Sequence, residues 1–332
     1  MHLRNIISIG LLLASLVGSS GAWAEDCLQN SYSFRTQDQV DVFPKNCDSV
    51  RGGLTVENST DITNLDGLAN LISVGGFLFI GDNALLTKLD GLPNLTSVGG
   101  FLYIDTNAAL TNLGGLAKLT SVGGSLYIEN NTALTKLDGL ANLTSVGGEL
   151  DIYDNDLLTN IDGLANLTRV GGDLGIYDNA SLTNIDALAN LTSVGGDLGI
   201  YRNASLTKLD GLANLTSVGG YLYIYRNASL TNLDGLAKLN SVGGYLTIEN
   251  NTALTNCQGI RPVLGWPSGP PDDSVVGKIA IGSNATGCNS VDEILASYSP
   301  PAATPVPTSP LWLLGMMAAL LSLVAVRKLH KA

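Results

Sequence analysis

Leu215-Thr216-Ser217-Val218-Gly219-Gly220-Tyr221-Leu222-Tyr223-Ile224-Tyr225-Arg226-Asn227-Ala228-Ser229-Leu230-Thr231-Asn232-Leu233-Asp234-Gly235-Leu236 decides the architecture, because a shift of 24 residues in either direction nearly overlays it on itself. One valine column keeps that register at Val50, Val74, Val98, Val122, Val146, Val170, Val194, Val218 and Val242. A fixed period of this length marks a solenoid, in which each repeat is one coil stacked on the last.

Within a coil the apolar residues fall in columns. Leu78, Ile80, Leu86, Leu89, Leu92, Leu95 and Val98 recur as Leu102, Ile104, Leu110, Leu113, Leu116, Leu119 and Val122. Leu78-x-Ile80 has strand alternation with both side chains inward. The later leucines come every third position, too tight for one face of an α-helix, so a polygonal coil that keeps turning corners is expected. Glycine pairs such as Gly75-Gly76 and Gly99-Gly100 precede each strand and are read as bends.

One polar column belongs inside as well. Asn83, Asn107, Asn131, Asn155, Asn179, Asn203, Asn227 and Asn251 sit three residues past each strand isoleucine. Stacked there, they would hydrogen-bond backbone groups that a tight corner leaves unpaired. The Asn-Ala-Ser glycosylation motifs at Asn179, Asn203 and Asn227 are then by-products of the repeat, not accessible acceptors. A second column, Asp66, Asp90, Asp138, Asp162, Asp186, Asp210 and Asp234, is expected to cap turn amides, with Lys88, Lys136 and Lys208 relieving its repulsion.

The ends have their own logic. Residues 1–24 read as a signal peptide: Arg4, an apolar run from Ile6 to Val17, and Ala22-Trp23-Ala24 ahead of Glu25. The chain holds four cysteines, Cys27, Cys47, Cys257 and Cys288, all outside the regular coils. An even count in an exported chain points to disulfides. Three pairings are possible, and Cys27–Cys47 with Cys257–Cys288 is favoured because a solenoid keeps its ends apart. Cys47 falls in the column of Leu71, and Cys257 in that of Leu233, so both stand where an open core needs a cap. Residues 25–49 form the N-terminal cap, 50–260 the repeats, and 261–299 a C-terminal cap with a protruding loop, Arg261 to Ser274, and one degenerate strand between Val276 and Asn284. A Pro-rich spacer (300–310), an apolar membrane segment (311–326) and a basic cytoplasmic tail (327–332) follow.

Leu-x-Ile-x-x-Asn-x-x-Leu, preceded by Gly-Gly and followed by Leu-x-Gly-Leu-x-x-Leu-x-x-Val, resembles the leucine-rich repeats of the receptor L-domain variety over residues 47 to about 260. The resemblance implies an all-β, right-handed β-solenoid of about nine coils that serves binding or surface architecture, with no particular ligand. Val306-Pro307-Thr308-Ser309-Pro310-Leu311-Trp312, with the apolar run and basic end after it, resembles bacterial C-terminal sorting tails of the IPTL and PEP type, departing from the IPTL pattern at Val306 and Ser309. That implies export to a bacterial envelope, anchoring in the inner membrane and recognition by an envelope sorting protease; a permanent membrane anchor is the alternative.

Composition narrows the chemistry. A formal net charge of −12 speaks against a nucleic-acid partner. Histidine occurs only at His2 and His330, which removes His-dependent triads and histidine metal sites from the body. No enzyme, cofactor or metal is expected; a carboxylate-dependent polysaccharide hydrolase, resting on the outward acids Asp105, Glu129, Glu149, Asp151, Asp173 and Asp197, is the lesser alternative. The outward strand face is where coils differ. Tyr153, Tyr177, Tyr201 and Tyr225 are expected to form a ladder at about 4.8 Å spacing. Beside it, Gly175 and Gly199 would leave a trough edged by Asp173 and Asp197, with Tyr223, Arg202 and Arg226 nearby. Tyrosine faces there would stack on a glycan or on a surface-protein segment, and Asp and Arg would supply directional hydrogen bonds. The opposing expectation is that the tyrosines only stabilise the sheet.

Overall fold

Every strand of the computed structural model, which describes Cys27 and residues 30–265 and 274–296, lies parallel to its neighbours. Two sheets run the length of the body, one of 11 strands and one of nine. The longer sheet takes the Leu-x-Ile segments, such as Leu150–Tyr153 and Leu174–Tyr177, in register at one repeat per strand. The shorter sheet takes the Ser-Val pairs, as in Ser193–Val194 against Ser217–Val218. The arrangement is consistent with a β-solenoid that has disulfides near both ends.

The third wall is where the period-three leucines go. Asp-Gly-Leu segments such as Asp162–Leu164 and Asp210–Leu212 form single 3-10 turns, which advance three residues per turn. One coil shows the result: Ile161, Leu164 and Leu167 all point inward with no exposed surface. The spacing that excluded an α-helix is the spacing of this tighter helix. Glycine is required there by close approach. A Cβ on Gly163 would lie 1.8 Å from the Leu137 carbonyl oxygen of the preceding coil.

The expected bend at the Gly-Gly pairs needs a different reason. Neither glycine of a pair is left-handed; a Cβ on Gly123 would instead come 2.3 Å from the Gly99 carbonyl oxygen, so the pair lets coil sit on coil. The left-handed corner falls after the strand and uses residues with side chains, including Thr106 (φ 54°), Asp154 (φ 52°), Arg202 (φ 56°) and Arg226 (φ 57°). Asn and Asp tolerate that region best, so β-branched Thr106 carries the largest local penalty.

That corner turns the asparagine column inward, and the expected ladder is present. Asn179 illustrates it: its Oδ1 accepts the Asn155 backbone N–H at 3.2 Å, and its Nδ2 donates to the Ile152 carbonyl at 2.8 Å and to the Tyr177 carbonyl of its own coil at 3.0 Å. Asn83 through Asn251 are fully buried. The ladder is finished by Asn284, whose Oδ1 accepts the Asn251 N–H at 3.0 Å. At its start the column holds Ser59, and Asn83 Oδ1 is left without a partner among the described residues.

The aspartate column does not do what the sequence suggested. The turn amide is accepted two residues earlier: Asn160 Oδ1 takes the Asp162 N–H at 3.1 Å, and Asn232 Oδ1 takes that of Asp234 at 3.1 Å. Where lysine replaces that asparagine, it pairs with the aspartate, as in Lys136–Asp138 at 2.9 Å and Lys208–Asp210 at 2.8 Å. An aspartate already inside the turn cannot fold back onto its own N–H, whereas a residue two positions upstream reaches it in an Asx-turn.

Both caps close the core as the cysteines predicted. Cys27 bonds to Cys47 and Cys257 to Cys288, with Cα atoms 5.2 and 5.7 Å apart. The N-terminal cap adds a strand, Tyr32–Phe34, and a short helix α1 (Gln37–Asp41) started by a Thr36–Gln39 capping box. The C-terminal cap supplies the degenerate strand at Ile279–Gly282 and helix α2 (Val291–Ala296). The first residues of the expected loop belong to this cap: Arg261 is buried and donates from Nε and a terminal guanidinium nitrogen to the Ile294 carbonyl, at 3.1 and 2.7 Å. The signal peptide, residues 266–273 of the loop, the spacer, the apolar segment and the basic tail lie outside the described residues. Among the described residues no helix is long and apolar enough to cross a membrane.

Candidate functional site

Alternation along the longer sheet sends one residue in two outward, and three outward columns per coil tile that face. The tyrosine column stacks as expected. Ring centroids are 4.6 Å apart for Tyr153–Tyr177 and for Tyr177–Tyr201, and 5.1 Å for Tyr201–Tyr225, with planes within 24° of parallel. In-register pairing places the rings at the strand repeat, so each interior ring has both faces covered by its neighbours. Their edges and hydroxyls are what the ladder presents. The expectation that free tyrosine faces stack on a ligand therefore fails for Tyr177 and Tyr201.

The trough fails for the same reason. A Cβ on Gly175 would lie 2.9 Å from Tyr177 Cε1, and one on Gly199 would lie 3.2 Å from Tyr201 Cε1. Each ring folds back along its strand over the glycine two residues earlier, and both glycines are buried. Aromatic cover of a strand glycine restores the packing that the missing side chain gave up. Asp173 and Asp197 do not stand free at the edge either. Asp173 Oδ1 accepts the Asp197 N–H at 2.7 Å, and Asp197 Oδ1 accepts the Tyr221 N–H at 2.7 Å.

The two arginines sit at the left-handed corner beyond the ladder. Arg202 pairs with Asp178 at 3.4 Å, and the Arg226 guanidinium lies 5.6 Å from the Tyr225 ring centroid, a cation–π contact. Tyr223 is flanked at the next outward position by Tyr221, whose ring centroid is 5.6 Å away. Tyr221 and Tyr245 are among the most exposed aromatics of the described residues.

The other end of the ladder contains what sequence reasoning missed. Glu129 precedes Tyr153 in the same column and pairs with it in register, yet the residue is only 3% exposed. Its carboxyl is pushed up to about 7, first by burial and then by the Asp151 and Asp154 charges. Asp151 is likewise raised to about 7, by burial and by Glu149 and Asp173, with a hydrogen bond from the Gly175 backbone opposing the shift. Burial with nearby acids also pushes Tyr153 and Tyr201 up to about 12 and raises Tyr177 further. Tyr127 closes the group by donating to Glu149 Oε2 at 2.6 Å. Glu129 and Asp151 were visible only as two of several outward acids. Their separation from the rest depends on which neighbours cover them.

Continuing in the same columns toward the N-terminal cap, the face is aromatic. Phe77 stacks on Phe101 at 5.0 Å, and Phe79, Tyr103 and Tyr127 follow one another at 5.3 Å. The face therefore reads, along the axis, as an aromatic strip, an acidic patch with two neutral-range carboxyls, a stacked tyrosine ladder with arginines, and an exposed tyrosine cluster. Among the described residues no group of three or more His, Cys, Asp or Glu side chains converges as a metal's donor set.

Compared with protein families, residues 46–114 match the model of the receptor L domain. Compared with curated proteins, the chain has no match. The family match covers the end of the N-terminal cap and the first coils, where the columns that carry the repeat are the same as in the coils beyond it.

Proposed function

We propose that the chain is an exported binding or adhesion protein of a bacterial cell envelope, non-catalytic, and that it engages its ligand with the outward face of the longer sheet. The observation that carries this reading is a contrast within each coil. Interior columns repeat the same residue type from end to end, whereas the outward columns change from Phe to Asp to Tyr along the axis. Packing demands uniformity inside a stacked core, and nothing in packing demands that the outer face vary. The residues that would bind are Tyr153, Tyr177, Tyr201, Tyr225 and Tyr223 through edges and hydroxyls, with Arg202, Arg226 and the free oxygens of Asp173 and Asp197. The ligand would be a glycan or a surface protein.

The finer features of the sequence reading enter here. The right-handed coil and the L-domain character across all nine repeats extend the resemblance beyond residues 46–114, and right-handed connection is the rule for parallel crossovers. Envelope targeting and the sorting protease rest on the tail resemblance, and two disulfides fit an exported protein.

A second reading, a structural envelope component without a discrete ligand, is favoured by the mutual stacking of the tyrosines over their own glycines. One binding experiment separates the two. The protein would be screened against glycan arrays and envelope extracts beside a Tyr177→Ala, Tyr201→Ala, Tyr225→Ala variant shown folded by circular dichroism. Saturable binding lost in the variant supports the recognition face. Binding by neither form supports the architectural role.

A further inference from the structure

Glu129 poses a problem that the rest of the face does not. Asp105 and Tyr153 flank it in register, and the charges that act on it, Asp151 and Asp154, are both acids. It is 3% exposed, and among the described residues no hydrogen-bond donor or cation meets its carboxylate. Asp151, one column over, faces Glu149 and Asp173, again acids. The two arginines of this face are committed elsewhere, Arg202 to Asp178 and Arg226 to the Tyr225 ring. The far end of the tyrosine ladder thus has its cations built in; at the near end Glu129 is buried and Asp151 half-buried, and the Arg202 charge reaches only the corner Asp154 beside them.

A buried charge of one sign, surrounded by its own kind, requires either a proton or an outside cation. The absence of a three-ligand donor set among the described residues turns the choice away from a chelated metal and toward an organic cation. The immediate surroundings choose among organic cations. The approach to Glu129 and Asp151 from the N-terminal side runs over the part-exposed rings of Tyr127 and Tyr103, with Phe77 and Phe101 beside them. A ligand that crosses this strip needs an apolar stem and a compact charge at its tip. Lysine has that form, whereas an amino sugar is hydroxylated throughout and an arginine spreads its charge over a planar fork suited to a bidentate partner.

We infer that the Glu129–Asp151 patch is a lysine-recognition point, which receives the ammonium of an extended segment of a partner protein whose apolar residues lie on the part-exposed rings of Phe77, Phe101, Tyr103 and Tyr127. This rests on the outward face being the binding surface and names its partner class. The ammonium displaces the proton that otherwise neutralises the pair, so docking strengthens as pH rises through about 7. The groups that set this dependence are Glu129, Asp151, Asp154, Glu149, Asp173 and Asp105, with Tyr153 and Tyr177 over them and Arg202 opposing the shift at Asp154.

The test uses the full chain and a fluorescently labelled peptide of alternating lysine and leucine, followed by anisotropy. Controls are the same peptide with every lysine acetylated and a glucosamine oligomer. Saturable binding of the lysine peptide is expected, weakened at least about tenfold by acetylation or by Glu129→Gln. Asp154→Asn, at an exposed corner that leaves the core alone, is expected to weaken it by a smaller factor. Binding should also rise between pH 6 and pH 8, in the window set by the two carboxyls near 7. No saturable binding of the lysine peptide, equal binding of the acetylated form, an unaffected Glu129→Gln, or preference for the glucosamine oligomer would each overturn the inference. Envelope ligands captured by the parent supply the discriminating control. If the tyrosine variant loses them while Glu129→Gln retains them, lysine recognition fails and the binding face survives. If both variants retain them, both readings fall.

Discussion

Two ladders run along this solenoid, and they teach opposite lessons. The asparagine ladder is buried, spans the regular coils from Asn83 to Asn251, and commits its amides to backbone groups of its own and adjacent coils. The tyrosine ladder is half-buried on the outer face, covers four coils, and satisfies its rings by stacking them on one another. A column that must be filled identically in each coil is answering to the backbone. A column that starts and stops, as the tyrosines do between Glu129 and Glu249, is not dictated by the backbone repeat, and recognition is the role we propose for it.

The largest effect should come from the inner ladder. Asn179→Ala removes the acceptor of the Asn155 N–H and the donor to two carbonyls, leaving buried polar groups unpaired at a cost of about 3 kcal/mol or more. Urea denaturation followed by circular dichroism measures it; a loss below about 1 kcal/mol would mean that water replaces the side chain and that the column is not a hydrogen-bonded spine.

The near end of the tyrosine ladder gives the next effect, and its sign depends on pH. Glu129 and Asp151 have folded values of about 7, raised from 4.5 and 3.8, so the folded state holds protons that the unfolded state has released between those limits. Their contribution is fully present at acid pH below the ordinary carboxyl range and is lost as pH rises through about 7. Glu129→Gln should therefore be more stable than the parent at pH 8, by about 2 kcal/mol, and the advantage should shrink toward pH 4. Thermal melts across that range check it, and a parent that gains stability from pH 5 to pH 8 relative to the variant reverses the assignment.

Gly175→Ala probes the outer ladder without touching a tyrosine. The added methyl would press on Asp151 Oδ1 and on the Tyr177 ring, and the cost of tilting that ring should be about 1 kcal/mol. A neutral result would show the ring cover to be loose and the stacking to be incidental. The smallest change expected is a gain: Thr106→Asn places a residue that tolerates left-handed backbone at φ 54°, worth about 0.5–1 kcal/mol by chemical denaturation.

Much of this was legible in the residues, for a reason particular to repeats. A 24-residue period brings each residue beside its own counterpart one strand spacing away, so the interior columns, the asparagine ladder, the cap cysteines and even the tyrosine stack follow from the register alone. The misread positions were those whose neighbours lie in another column. Asp162 has the spacing of a turn cap, yet Asn160 holds its amide. Gly175 reads as a trough, yet Tyr177, two residues along the same strand, lies over it. Glu129 looked like any outward acid.

Sequence by itself determined the parallel stacking, the inward columns, the polar spine and the closure of both ends by cysteine, because each depends only on what recurs after 24 residues. Tertiary structure alone decided the 3-10 wall, the left-handed corner on residues with side chains, the folding of tyrosine rings onto glycine, and the burial of Glu129 beside a half-buried Asp151 among like charges. Those outcomes depend on which rotamer a side chain takes across columns and how much water its neighbours exclude, and a period along the chain specifies neither.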